Sequence, residues 1–196
     1  MSAKKRKIVK IFVITALLLA LLFAVSFVLE GLVKKNSESE LDYKFYTPTE
    51  EENYFEDPDY LKKDRTLHYT DSMGQRWFVD EKSSCGDIGA VFFRLYFLAL
   101  EQGDADSLNS MYKKELGEYT DFTPQRVYAK ELVYLSDGKI DDDTFYITYS
   151  LDYNIMKNDG SFRRDIGSDM SRTQYITLYY TEEDAWIEEV KTEYRK

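Results

Sequence analysis

From Phe145 to Ile155 every odd position is apolar or aromatic (Phe145, Ile147, Tyr149, Leu151, Tyr153, Ile155), while Thr148, Ser150, Asp152 and Asn154 fall between them. Side chains of a β-strand point alternately to opposite faces, so this period of two specifies a strand half buried in a core. Three further strands are expected at Arg126–Leu135, Tyr175–Thr181 and Trp186–Tyr194. Ser136-Asp137-Gly138 and the acids Asp141, Asp142 and Asp143 separate the first strand from the second, and Glu182-Glu183-Asp184 joins the last two.

Upstream the period changes. Between Asp87 and Gln102, Ile88, Val91, Phe92, Leu95 and Ala99 recur at helical spacing, and Phe93, Tyr96 and Leu100 widen the stripe predicted to be buried. Gly103 supplies a C-terminal stop, and Asp104 can cap a second helix in which Leu108, Met111 and Tyr112 share a face. Thr66–Asp71 and Gln75–Asp80 flank Ser72-Met73-Gly74, which predicts a small hairpin carrying Trp77 and Phe78. Two helices followed by four strands describe an α+β domain, with the helices on one face of a curved antiparallel sheet.

The passage Phe93-Arg94-Leu95-Tyr96-Phe97-Leu98-Ala99-Leu100-Glu101-Gln102-Gly103-Asp104-Ala105-Asp106-Ser107-Leu108 resembles the opening of NTF2-like domains, the superfamily that includes ketosteroid isomerase and SnoaL-like proteins. There a long helix commonly ends in a similar Gly-Asp-x-x-x-Leu passage into a second helix. Trp186-Ile187, just after an acidic turn, is similar to that superfamily's closing hairpin. The resemblance covers roughly residues 86–194 and implies a cone, with the sheet curled around a pocket that the long helix closes. Enzymes of the superfamily place Asp, His or Tyr inside the cone. Here Asp152 alternates out of the apolar face and His68 precedes the matching region, so no familiar catalytic pair maps onto the chain and no catalytic residue is assigned.

Ahead of this domain lies an uncharged apolar run, Ile11 to Leu29, preceded by Lys4, Lys5, Arg6, Lys7 and Lys10. A helix rising about 1.5 Å per residue crosses a hydrocarbon core with roughly 20 apolar residues, so a single membrane-spanning helix is expected over residues 11–33. A cleaved secretory signal has the same basic start but an apolar core of about 7–15 residues. Here the small pair Ala24 and Ser26 is followed by Phe27, Val28 and Leu29, which favours an uncleaved anchor. The positive-inside rule then keeps residues 1–10 cytoplasmic and the rest outside, with Lys10 and Glu30 at the two membrane boundaries. Residues 34–64 read as an acidic tether, interrupted by Pro48 and Pro58, with Tyr43, Phe45, Tyr46, Tyr54 and Phe55 too aromatic for a pure spacer. Residues 65–196 form the outer domain. The outer domain is expected to be a non-catalytic binding or assembly module; the layout of cytoplasmic start, one membrane helix, stalk and outer NTF2-like domain is also similar to VirB8-like components of conjugation and secretion channels, and the resemblance alternatively implies a small-molecule-binding protein or SnoaL-like enzyme.

The formal charge of -10 hides an asymmetry: the first ten residues carry +5, so the remainder totals -15. Nucleic acid is thereby disfavoured as a partner, since phosphate binding needs clustered Lys and Arg. The expected partners are membrane lipid, through residues 11–33, and other envelope proteins or further copies of the chain. One cysteine, Cys85, and one histidine, His68, leave no intramolecular disulfide and few familiar metal sites, and no cofactor or metal is expected. Asp141, Asp142 and Asp143 are consecutive acids, which do not converge on calcium as alternating ligands do, and read as a solvated turn. Tyrosine is abundant, with 17 residues, and Tyr96, Tyr149 and Tyr153 are placed to line a cone or to fill it as core. The most distinctive outer segment is Asn158 to Arg172, longer than a turn requires. Its Arg163, Arg164 and Arg172 gather positive charge for a partner or an anionic ligand, or else pair with Asp165 and Asp169 to order the connection.

Overall fold

The alternating segment forms one long strand, Phe145–Met156, inside a six-stranded sheet. The computed structural model describes residues 43–47, 56–80, 86–114, 116 and 118–193. Within them the chain runs α1 (Pro58–Leu61), β1 (Leu67–Thr70), β2 (Arg76–Val79), α2 (Ile88–Gln102), α3 (Ala105–Ser110), β3 (Arg126–Lys139), β4 (Phe145–Met156), β5 (Gln174–Tyr180) and β6 (Ala185–Lys191). The strand order is β2-β1-β3-β4-β5-β6.

The class is α+β, but the sheet is mixed and not wholly antiparallel. β1 pairs with β3 in parallel, Leu67 beside Lys130 and Thr70 beside Val133, while the other neighbours are antiparallel. Parallel neighbours need a long crossover, and here β2, α2 and α3 occupy it. The hairpin at the head of the domain thus continues the sheet.

Asp87 starts α2 by accepting the Ala90 N–H at 3.0 Å, and Gly103, at φ 68°, closes it in the left-handed conformation. α3 is capped in the same way by Asp104, through the Ser107 N–H at 2.9 Å, and ends at Ser110. Tyr112 leaves that helix and bridges to Ile187 beside β6. The buried face of α2 carries Ala90, Phe93, Tyr96, Phe97 and Leu100 against Leu132, Tyr149, Leu151, Tyr153, Ile176, Leu178 and Ile187 of the sheet. Val91 and Leu95, expected in that face, are 48% and 42% exposed.

β3 runs through Ser136-Asp137-Gly138, which the sequence marks as a connection. Two register shifts, at Tyr128/Glu131 and Tyr134/Ser136, carry it onward, and bulges of this kind let a strand bend without ending. The reversal comes later, where Ile140 N–H donates to Thr144 O at 2.9 Å. Asp141 turns back on the Asp143 and Thr144 N–H groups at 3.1 and 2.9 Å, the arrangement of a solvated acidic turn. β6 stops at Lys191, three residues short of the expected end.

The compact unit begins at Tyr43. Residues 43–47 and 56–64, assigned from the sequence to the tether, therefore belong to it, and Tyr60 is buried with its hydroxyl donating to Val127 O at 3.1 Å. Among the described residues no helix is long and apolar enough to cross a membrane. The expected anchor at 11–33, the basic start, Tyr54, Phe55 and Cys85 lie outside the described residues.

Candidate functional site

The connection between β4 and β5 is built around Asn158, which is fully buried. Its amide donates to Arg163 O and Ile166 O, both at 2.9 Å, and its carbonyl accepts the Gly160 N–H at 2.9 Å. A single side chain thereby replaces the backbone ladder that a loop of this length lacks. Asn158→Ala is expected to destabilise the domain by about 2 kcal/mol, because it strands three buried backbone groups; urea titration would read the loss.

Of the arginines that suggested a positive patch, Arg163 is turned inward, while Arg164 and Arg172 are exposed. Arg163 is 5% exposed, forks onto Asp165 through Nε–Oδ1 at 2.9 Å and Nη2–Oδ2 at 2.6 Å, and lies over the Tyr153 ring at 5.2 Å. Burial alone would weaken its hold on the proton, but the Asp165 carboxylate outweighs this and pushes the guanidinium up. Asp165 falls below the ordinary carboxylate range despite its own burial, for the same reason. Arg164 donates through Nε to Gly160 O at 3.2 Å. Asp169 sits at φ 56° and accepts the Tyr128 hydroxyl at 2.8 Å. Arg172 remains half-exposed, 4.0 Å from Asp165. The sequence located the segment, and within it Arg163 and Asp165 pair to order the connection.

What occupies the outside of this loop is the chain itself. A Cβ built on Gly160, at φ 75°, would lie 2.9 Å from the Phe45 ring, and one on Gly167 would lie 3.0 Å from the Tyr43 ring. Both glycines are close-approach seats for a strap, residues 43–47. Tyr46 fastens it through its N–H to Asn158 O at 2.8 Å, with its ring under Arg126 at 5.9 Å and Lys157 at 5.2 Å. Those two cations converge on Asp57, whose Oδ2 is 3.2 Å from Arg126 Nη1 and 3.0 Å from Lys157 Nζ. The Lys157 hydrogen bond, helped by the Asp59 N–H, holds the Asp57 carboxyl below its ordinary value. Ala129, Lys157 and Asp169, the non-glycine residues with positive φ among those described, all belong to the segments meeting here. Left-handed backbone at such residues is costly and persists where surrounding contacts determine it.

The helix-covered face of the sheet is filled. Tyr96, Tyr149 and Tyr153 are each buried, with Phe93 edge-on to Tyr149 at 5.8 Å and Phe97 edge-on to Tyr153 at 5.3 Å. Tyr149 donates to Asp87 at 3.0 Å, while Tyr119, Tyr112 and Tyr96 form a hydroxyl chain with steps of 3.3 and 3.4 Å. Burial pushes the phenols of Tyr96, Tyr112, Tyr149 and Tyr153 up, so they stay protonated at neutral pH. His68 lies on the other face, its Nε2 2.7 Å from Asp64 Oδ2 and its ring against Phe78.

A cleft of about 540 Å³ opens instead beside α2, between the segment leading into β1 and the end of β2. Its walls include Lys63, Arg65, Arg94, Leu98 and the buried Lys130, whose Nζ is 2.7 Å from the half-buried Glu101. Sequence reasoning missed it. The available signal was the helical spacing of Arg94, Leu98 and Glu101, one face of α2 that mixes both charges with an exposed leucine. Compared with protein families, with curated proteins and with solved structures, the chain matches none.

Proposed function

We propose that the chain is a single-pass, membrane-anchored module with an outer NTF2-like domain that binds or assembles with envelope proteins or further copies of itself, without catalysing a reaction. The observation that carries this reading is the strap: Tyr43, Phe45 and Tyr46 pack on the loop after β4, so residues 43–47 are part of the domain. The NTF2-like assignment draws on chain order, a capped long helix followed by four antiparallel strands. The packing of Tyr96, Tyr149 and Tyr153 supports binding or assembly over chemistry within the cone. The same layout supports a narrower form, a VirB8-like channel component, in which oligomers are expected.

Two measurements test this. Copies carrying different tags should co-purify from membranes in mild detergent; strictly monomeric protein with no co-purifying envelope component would overturn assembly. Orientation is read with Met73→Cys in a Cys85→Ser background, because Met73 is 89% exposed. A membrane-impermeant maleimide should label it in intact cells, and labelling only after lysis would overturn the outside placement.

A further inference from the structure

We infer that the cleft beside α2 is a binding site for a single-chain amphiphile with an anionic head, of the alkyl phosphate or fatty carboxylate class. Its volume, about 540 Å³, lies within the range of small-molecule sites. Leu67, Val79 and Phe97 give it a buried apolar floor. From there the exposed Leu98 leads to the equally exposed Leu95 and Val91, spaced three and four residues apart and so adjacent on the helix surface. At 1.5 Å per residue this aliphatic stripe runs for about 10 Å, the scale of a short hydrocarbon chain. Aliphatic side chains left in water on an otherwise well-filled domain favour an apolar ligand body.

The sign of the head follows from which charges are already committed. Of the three carboxylates in the lining, Glu101 is held by the buried Lys130, Asp64 by His68, and Asp80 is engaged in an interaction of its own. The cations on the rim are matched differently: Lys63 lies over the Tyr128 ring at 4.7 Å and Arg65 over the Tyr60 ring at 5.4 Å. Arg94 has no hydrogen bond or ion pair to any described residue. In an acidic protein the cleft thus offers guanidinium and ammonium groups not neutralised by carboxylate. A planar guanidinium is suited to fork onto a phosphate or carboxylate. A bare anion would leave the floor and stripe in water, and a bare hydrocarbon would leave Arg94 unmatched; an anionic amphiphile satisfies both. This inference does not depend on whether the chain assembles.

The test is equilibrium dialysis of labelled hexyl phosphate against the full chain in phosphatidylcholine nanodiscs, with empty discs as the blank. Saturable binding near one per chain is expected, with inorganic phosphate and hexanol each at least tenfold weaker. Arg94→Gln and Leu98→Gln should each weaken binding at least tenfold, while Lys139→Gln, which removes a distant cation, should leave it unchanged. Uptake no greater than that of empty discs would overturn the inference, as would equal binding of inorganic phosphate or of hexanol. Unaltered binding in folded Arg94→Gln, with circular dichroism matching the parent, would also overturn it.

Discussion

Gly89→Ala is expected to destabilise the domain by about 3 kcal/mol, although alanine is by itself the better helix former by about 1 kcal/mol. The cause is one contact. A Cβ on Gly89 would lie 2.2 Å from both Cζ and Oη of Tyr149 and 2.6 Å from its Cε2. That ring cannot step aside cheaply, because its hydroxyl donates to Asp87 at 3.0 Å and its edges meet Phe93 and Tyr69 at 5.8 and 6.3 Å. Asp87 also accepts the Tyr69 hydroxyl at 2.6 Å and caps α2, so moving Tyr149 disturbs the start of the helix and its hold on the sheet together. Propensity and overlap have opposite signs, which makes the sign of the result informative. Urea unfolding at constant m should show a lower midpoint for Gly89→Ala, and a higher one would mean that the ring is free to move. In a Tyr149→Leu background the same change should cost much less, a non-additivity expected only of residues in contact.

The parts of the fold legible in the sequence were those with a local cause. Alternation placed β4 to within one residue, and helical spacing with Gly103 as the stop placed α2. Direction was harder to read. Val91 and Leu95 fit the helical period as well as Phe93 and Tyr96 do, and only the position of the sheet decides which stripe is covered. Gly138 reads as a turn residue, yet it lies inside β3 because the Tyr146 ring occupies the space where its side chain would be, 2.6 Å from an added Cβ. The parallel pairing of β1 with β3 joins residues some sixty positions apart and has no local signature. At the site, sequence identified the long loop and the aromatic surplus of the tether. It did not join them, because Gly160 and Gly167 announce a close approach without naming the ring that makes it. Nor does composition say that Arg163 points inward, since a charge shows its sign but not its direction.

Asp57→Ala should be the most damaging change at the strap, with an expected loss of about 3 kcal/mol, because it takes a carboxylate away from a buried guanidinium and from a helix cap at once. Arg126 is 1% exposed, and Asp57 Oδ2 lies within ion-pair distance of its Nη1, at 3.2 Å. The other oxygen caps α1 through the Asp59 and Tyr60 N–H groups at 2.9 and 3.4 Å, so the same substitution also loosens the helix that buries Tyr60. Arg126→Met, which removes the charge but keeps an apolar stem, should cost less, and the double variant should cost less than the two single losses added together. The pH dependence has a definite sign. Lys157 and the Asp59 N–H hold the folded carboxyl below its ordinary value of 3.8, so the folded state binds this proton less readily than the unfolded chain does. The carboxylate's contribution is therefore complete above that value and is lost as pH falls through the lower folded one. The stability gap between parent and Asp57→Ala should stay level from neutral pH down to about 5 and then narrow steadily with further acidification. A gap that held its full size to pH 2 would show that the carboxylate's charge is not what keeps Arg126, Lys157 and the strap together.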